Sequence, residues 1–237
     1  MEAPTISEDA TSQPERAPDG RRLRWTEHRA QRRSAFVTAG VRAIDRYGAD
    51  ASAEQIAEIA QVSRTVLYRY FRDREDLRQA IADHLVASVV ASVLPSLQLN
   101  PDSTPHDVIE ATIGVIVGWL DEHPNLYYFL RGRRTGSSLE AVENTLADQV
   151  AALLRVFMMF FGLDAAQAEP LAYGIVGLVE SCGGWWLAKR TMTRETFTAL
   201  VCTAVWHLLE GAVRANHLDI GYDDPLPFAA LARQVRP

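Results

Sequence analysis

Apolar residues recur at spacings of three and four along most of the chain. Phe36, Val37, Gly40, Val41 and Ile44 form one such stripe and predict a helix over residues 26–47. Thr26 is placed to cap it and Gly48 to end it. A shorter helix follows over 52–60, opened by Ser52, with Ile56 and Ile59 inward. Gln61 and Val62 form a turn, and Ser63 caps a third helix reaching Phe71. Val62, Leu67 and Phe71 share its apolar face. Asp73 caps a fourth helix, with Glu75 and Asp76 favoured in its first turn by the helix dipole. It extends to Leu94, where Pro95 stops it.

Beyond a linker at 100–104 the helical pattern resumes over 105–123, with Pro105 at a first-turn position. Pro124 breaks that helix and starts another over 125–133. A turn at 136–138 precedes a long amphipathic helix over 139–161, capped by Ser137 or Ser138 and ended by Gly162. Asp164 caps a helix over 165–190. Thr193 and Thr196 open a last one ending at Ala215. The chain shows no strand pattern and no repeat of fixed period. The fold class expected is all-α, with about nine helices. Residues 1–22, rich in Pro, Ser, Thr, Asp and Glu, read as a disordered leader. The divisions expected after it are a helix-turn-helix unit at 23–72, a larger helical unit at 73–215 and a tail at 216–237.

Charge sharpens this division. The chain carries −6 overall, with 48% hydrophobic and 23% charged residues, ordinary for a globular protein. Residues 16–74 hold 13 Arg against 7 acids, whereas residues 75–237 hold 11 Lys+Arg against 19 acids. A basic front and an acidic back suit a unit that meets DNA joined to one that stays off it. Lys189 is the only lysine. The Arg bias suits phosphate and guanine recognition, and it also accompanies Ala enrichment in a G+C-rich genome. Cys182 and Cys202 lie in apolar helical runs with neither metal nor disulfide spacing, which suits a reducing, cytoplasmic setting. The N-terminus has no apolar signal region. The longest apolar run, 171–188, is interrupted by Glu180 and falls short of a clean membrane span. There is no nucleophile elbow, metal-ligand spacing or Gly-rich phosphate loop, so neither an enzyme nor a cofactor or metal is expected.

Residues 52–76 have the form of a DNA-reading helix-turn-helix. With Val62, Leu67 and Phe71 inward, Arg64, Thr65, Tyr68, Arg69 and Arg72 are left outward. Arg pairs with guanine, Thr reaches a thymine methyl or a phosphate, and Tyr and Arg hold phosphates. Ser52 offers a hydroxyl and helix N-terminal N–H groups to another phosphate. Arg21, Arg22 and Arg24 form either an arm touching phosphate or a solvated tail.

The stretch closely resembles the DNA-binding domain of the TetR family of transcriptional regulators. The matching residues are Ser52, Ile56-Ala57, Val62-Ser63, Leu67-Tyr68, Tyr70-Phe71 and Arg74-Glu75-Asp76-Leu77, within a likeness spanning about residues 33–85. That resemblance implies phosphate contacts at Tyr68, Tyr70 and Arg74 and base readers at Arg64 and Thr65, with Ser52, Ser63 and Arg69 completing the surface. Three positions depart from the pattern. Gln61 stands where Gly is usual, Tyr70 where His is usual, and Ile44 where Phe is common. A left-handed Gln61 costs about 1 kcal/mol.

For the larger unit, the resemblance implies a pocket whose occupancy moves the DNA-binding heads. Its last two helices would pair with a mate into a two-fold homodimer. The candidate pocket residues are Trp119, Tyr127, Tyr128, Met158, Phe161, Glu180 and Trp186. Met159 is a further adaptable apolar wall, although core packing is the default use of such aromatics. Glu180 pairs with an Arg, lines the pocket or faces solvent. Gly183-Gly184 leave room for close helix contact or a ligand. Glu122-His123-Pro124 with Arg131, Arg133 and Arg134 resembles family members that regulate lipid metabolism, some of which sense acyl-CoA. The expected partners are therefore double-stranded DNA, a second copy of the chain and a hydrophobic small-molecule effector, with no membrane. The expected function is a ligand-responsive regulator, most simply a repressor. The alternative is a helical lipid carrier with a vestigial helix-turn-helix.

Overall fold

A computed structural model describes residues 20–98, 102–132 and 138–226, the side chains of 20–26 and 138 excepted. All regular structure among these residues is helical: α1 Gly20–Tyr47, α2 Ala53–Ile59, α3 Arg64–Leu67, α4 Arg74–Val93, α5 Pro105–Glu122, α6 Pro124–Arg131, α7 Ser138–Phe160, α8 Ala168–Lys189 and α9 Arg194–Ala215. The expected leader before residue 20, Arg133 and Arg134, Ser137 and the tail after 226 lie outside the described residues.

Most helices start where capping chemistry places them. Ser52 forms a capping box: its hydroxyl accepts from the Gln55 N–H while the Gln55 side chain accepts from its own N–H. Asp73 accepts from the Asp76 N–H, and Thr193 from the Thr196 N–H. Thr104 makes a second capping box with Asp107 ahead of Pro105. Ser63 stands at the cap of α3 without a side-chain capping bond.

Four boundaries differ from the pattern reading. α1 begins at Gly20 rather than at Thr26, because no Gly or Pro lies between Gly20 and Thr26 and the Arg-rich segment favours helix. Gly48 ends that helix at φ +101°. α3 is only four residues long. Beyond it the backbone tightens, with the Arg69 N–H donating to Val66 and the Tyr70 N–H to Leu67, which turns the chain toward the extended Asp73 cap. Past α4, Leu94–Leu97 continue as a 3-10 turn through Pro95. The helix expected over 165–190 is a 3-10 turn, Ala165–Gln167, followed by α8. Pro170 lies in the first turn of α8, where a missing N–H leaves no helical bond unmade.

α1, α2, α3 and the start of α4 close around Phe36, Ile44, Ile56, Leu67, Phe71 and Ile81, each at most 3% exposed. Val62 packs against this cluster from its rim. The cluster does not stop at the head, because Leu126, Phe129 and Leu130 of α6 belong to it. The separation expected at residue 73 is therefore bridged by a shared core. Behind it, α7 packs along α8 and α5 along α9. Arg74–Leu97 and Arg194–Ala215, rather than the apolar run at 171–188, are long and apolar enough to cross a membrane by length and composition. Both contribute buried side chains to the packed core.

Gln61, between α2 and α3, adopts φ +55°. A side chain there crowds the following carbonyl, so Gln61→Gly is expected to stabilise the protein by up to about 1 kcal/mol, less the entropy Gly adds to the unfolded chain. Thermal unfolding reads this as a rise of up to about 4 °C; a fall would contradict the strain.

Candidate nucleic-acid interface and ligand cavity

The outward face of the helix-turn-helix carries Ser63, Arg64, Thr65, Arg69 and Arg74, all exposed. Tyr68 and Tyr70 are half-buried, and the Tyr70 ring meets Phe36 edge-on at 5.1 Å. This packing orients Tyr70. Arg64 points outward but is not free: its guanidinium donates to Glu54 at 2.7 Å and lies 5.5 Å from the Tyr68 ring centre. The Glu54 carboxyl is held below its ordinary range by its own backbone N–H, then by Ser52 and Arg64. Both partners are exposed, so this ion pair is weak and open to exchange. Ser52 was expected to offer its hydroxyl and the N–H groups of the α2 N-terminus; its hydroxyl accepts from the Gln55 N–H, and its own N–H donates to the Gln55 side chain.

The seat of this face is electrostatic as well as apolar. Asp76 accepts from the Arg72 N–H at 2.9 Å and from Arg33 of α1 at 2.8 Å. The Arg72 N–H, followed by the charges of Arg33 and Arg72, holds its carboxyl below the ordinary range. Arg33 also lies over the Phe71 ring at 4.5 Å. The start of α4 is thus clamped to α1.

A cavity of about 110 Å³ lies between α4, α5, α6, α7 and α8. Trp119, Tyr127 and Glu180 line it, as expected from sequence. Its other walls went unnoticed there: Val89 and Val93 of α4, Ile116 of α5, Leu130 of α6, and Val142, Glu143 and Leu146 of α7. Aliphatic side chains at ordinary core spacing carry no mark that they border empty space. Glu143 does carry a mark in sequence, an acid three residues before the buried Leu146 on an amphipathic helix.

The remaining four candidates lie elsewhere. Tyr128 points to the outer side of α6 and is 40% exposed. Trp186 is core, stacked on Phe197 at 4.8 Å and donating to the Met192 carbonyl. It follows Glu180 by six residues, roughly 240° around the helix, and so faces away from the cavity. Met158 borders a second, wholly apolar cavity of about 120 Å³ with Leu154, Leu171 and Trp206. Phe161 packs on Phe157 and Phe160 at the end of α7.

One end of the central cavity is polar. The Tyr127 hydroxyl donates to Glu180 at 2.9 Å and accepts from Arg131, whose guanidinium stands 3.6 Å from the same carboxylate. Glu180 therefore both pairs with an Arg and lines the cavity. Burial, then the hydrogen bond and charge of Glu180, push the Tyr127 hydroxyl up to about 12. Gly184 makes the cluster possible, since a Cβ there would collide with the Tyr127 hydroxyl and Arg131. A Cβ on Gly183 would come within 2.7 Å of Leu120. Among the described residues, no group of His, Cys, Asp and Glu has the form of a metal site.

Burial, then the charges of Glu180 and Glu140, push the Glu143 carboxyl above its ordinary range. The folded state holds this proton more tightly than the unfolded chain. That contribution is complete below the unfolded value and is lost as pH rises through the folded one, so at neutral pH the ionised group weighs against folding. Glu143→Gln is expected to raise the thermal midpoint near pH 7, with the gain shrinking toward pH 4. A gain independent of pH would assign the effect to packing instead.

A family model described as "Bacterial regulatory proteins, tetR family" matches residues 36–81. An uncharacterised HTH-type transcriptional regulator of Mycobacterium tuberculosis strain H37Rv is 31% identical over 203 residues, covering 84% of this chain and 86% of that protein. Among solved structures, a tetR-family transcriptional regulator from Streptomyces coelicolor superposes with a TM-score of 0.63 at 20% identity, covering 87% of this chain and 96% of its own. The transcriptional regulator FadR from Bacillus subtilis, solved in complex with stearoyl-CoA, gives a TM-score of 0.58 at 17% identity, covering 75% of this chain and 98% of its own. With the helix-turn-helix and the helical body behind it, the likeness over most of both chains is decisive: this chain belongs to the tetR family of bacterial regulatory proteins and is a DNA-binding transcriptional regulator.

Proposed function

We propose that the protein is a homodimeric repressor that binds a pseudo-palindromic operator and is released when a mainly apolar small molecule enters the central cavity. The observation that carries this is the double membership of α4 and α6. Val89 and Val93 of α4 and Leu130 of α6 line the cavity, while Leu77 and Ile81 of α4 and Leu126 and Phe129 of α6 belong to the core of the head. A ligand that spreads the cavity walls therefore strains the head's own core. Polar ties reinforce the link: His123 meets Asp45 of α1 at 3.2 Å, and Asn125 donates to the Asp45 carbonyl.

The outer faces of α8 and α9 support pairing of two copies. Tyr173, Trp185, Leu200 and Leu208 are exposed apolar side chains there. Gly174, Gly177 and Gly211 between them open onto free space, which lets partner helices approach closely. A two-fold pair sets two α3 helices about one DNA turn, roughly 34 Å, apart. Arg64 and Thr65 read bases in this arrangement. Ser52, Ser63, Tyr68, Arg69, Tyr70 and Arg74 hold phosphates, with Ser52 acting through its hydroxyl and neighbouring N–H groups. Acyl-CoAs and lipids are the first effector classes to try, because the similar FadR structure holds stearoyl-CoA.

Fluorescence anisotropy against the chain's own upstream DNA, with and without acyl-CoA, tests the proposal; binding that is neither sequence-preferring nor salt-sensitive sinks it. Arg64→Ala is expected to relax preference at one base pair by about 1–3 kcal/mol, while Tyr68→Phe weakens specific and random DNA alike. Equal loss on both DNAs for Arg64→Ala would remove it from the base readers. Glu54→Gln, which frees Arg64 and removes a negative charge beside the phosphate path, is expected to tighten binding to both DNAs; unchanged affinity would show the ion pair to be irrelevant.

A further inference from the structure

The central cavity is largely apolar, and the charge on its described lining residues is unbalanced. Glu143 of α7 and Glu180 of α8 both line it. Arg131 answers Glu180, standing 3.6 Å from its carboxylate and donating to the Tyr127 hydroxyl that itself donates to Glu180. Glu143 makes no hydrogen bond or ion pair among the described residues. Its neighbours are mostly hostile: Glu180 and Glu140 raise its proton affinity, and only the charge of Arg131 acts the other way. A half-buried carboxylate with no ion pair among the described residues is destabilising, and a cation brought by a ligand relieves it.

We propose that the effector carries a cationic head, an amine, guanidinium or quaternary ammonium, on an apolar body, and that Glu143 selects it. The body lies against Val89, Val93, Val142 and Leu146, and the head sits between Glu143 and Glu180. An anionic head adds a third negative charge to the same end, so the cavity discriminates by repulsion as well as attraction. On this ground the anionic acyl-CoAs bind less well than an alkyl cation of the same chain length. The inference rests on the reading of this cavity as the effector site.

Octylamine, octanol and octanoate share one chain and differ only in the charge of the head. Their affinities for the full chain, by calorimetry at neutral pH, and their release of bound operator, by anisotropy, separate the two levels of the claim. Octylamine is expected to bind about tenfold more tightly than octanol, the scale of one charge-assisted contact, with octanoate weakest. In Glu143→Gln the advantage of octylamine over octanol is expected to vanish while octanol binds as before. Val176→Trp, which fills the cavity, is expected to abolish binding of all three, unlike amines held on the acidic surface. Should octanol or octanoate match octylamine, or should Glu143→Gln keep the amine preference, the head-group assignment is overturned while the cavity remains an effector site. Should none of the three bind or release DNA, the effector reading of the cavity fails with it.

Discussion

The structure depends on one sharing of side chains: α6 is too short to have two independent neighbourhoods, and it serves both. Leu126 and Phe129 are buried with Phe36, Phe71 and Ile81, and Leu130 lies in that cluster while also bordering the cavity. Tyr127 faces the other way, into the core of the body. Packed interiors do not deform continuously, so displacement of one face must be taken up by the other. The Arg78 guanidinium over the Phe129 ring and the Asp45 contacts of His123 and Asn125 hold this helix to α4 and α1. Arg33 and Asp76 in turn hold α1 to the start of α4. The helix-turn-helix head is therefore seated on the wall of a cavity.

Two features of this body weigh against stability. Gln61 accepts a left-handed backbone in the turn that sets α3, and Glu143 borders the cavity with burial and the charges of Glu180 and Glu140 outweighing that of Arg131. One borders the proposed DNA-reading helix and the other the proposed effector cavity, the pattern expected of functional sites in marginally stable folds. Gly184 is the complementary case: the absence of a side chain admits the Tyr127–Arg131–Glu180 cluster between α6 and α8. The hydrogen-bonded cluster and the Glu143 carboxylate both border the same largely apolar space. On the proposed reading, they meet the effector's polar group.

Much of this was legible in the sequence. The all-helical class, the order of the helices, the caps at Ser52, Asp73 and Thr193, and the outward placement of Arg64, Thr65 and Arg69 all follow from local rules. Spacing of apolar residues, side-chain acceptors at helix starts and the left-handed need at Gln61 are properties of a few adjacent residues. The helix-turn-helix is the most readable part because its core is built from neighbours in sequence. Capping also engages part of the Ser52 seat, because its hydroxyl accepts from the Gln55 N–H and its own N–H donates to the Gln55 side chain.

The cavity was legible only in fragments. Trp119, Tyr127 and Glu180 were identified, whereas Trp186, Tyr128, Met158 and Phe161 went elsewhere, and Val89, Glu143 and Leu146 were unseen. Aromatic density marks large side chains but not the side of a helix they take, nor whether the space beside them is filled. The Arg64–Glu54 pair and the core shared between α4, α6 and the head likewise join residues distant in sequence. Local pattern determined which helices exist and which faces are apolar, because propensity, capping and periodicity act within a turn or two. Only the tertiary structure decided where those faces leave a void and which charges meet there, because voids and unpaired charges arise from the sum of all the helices packed at once.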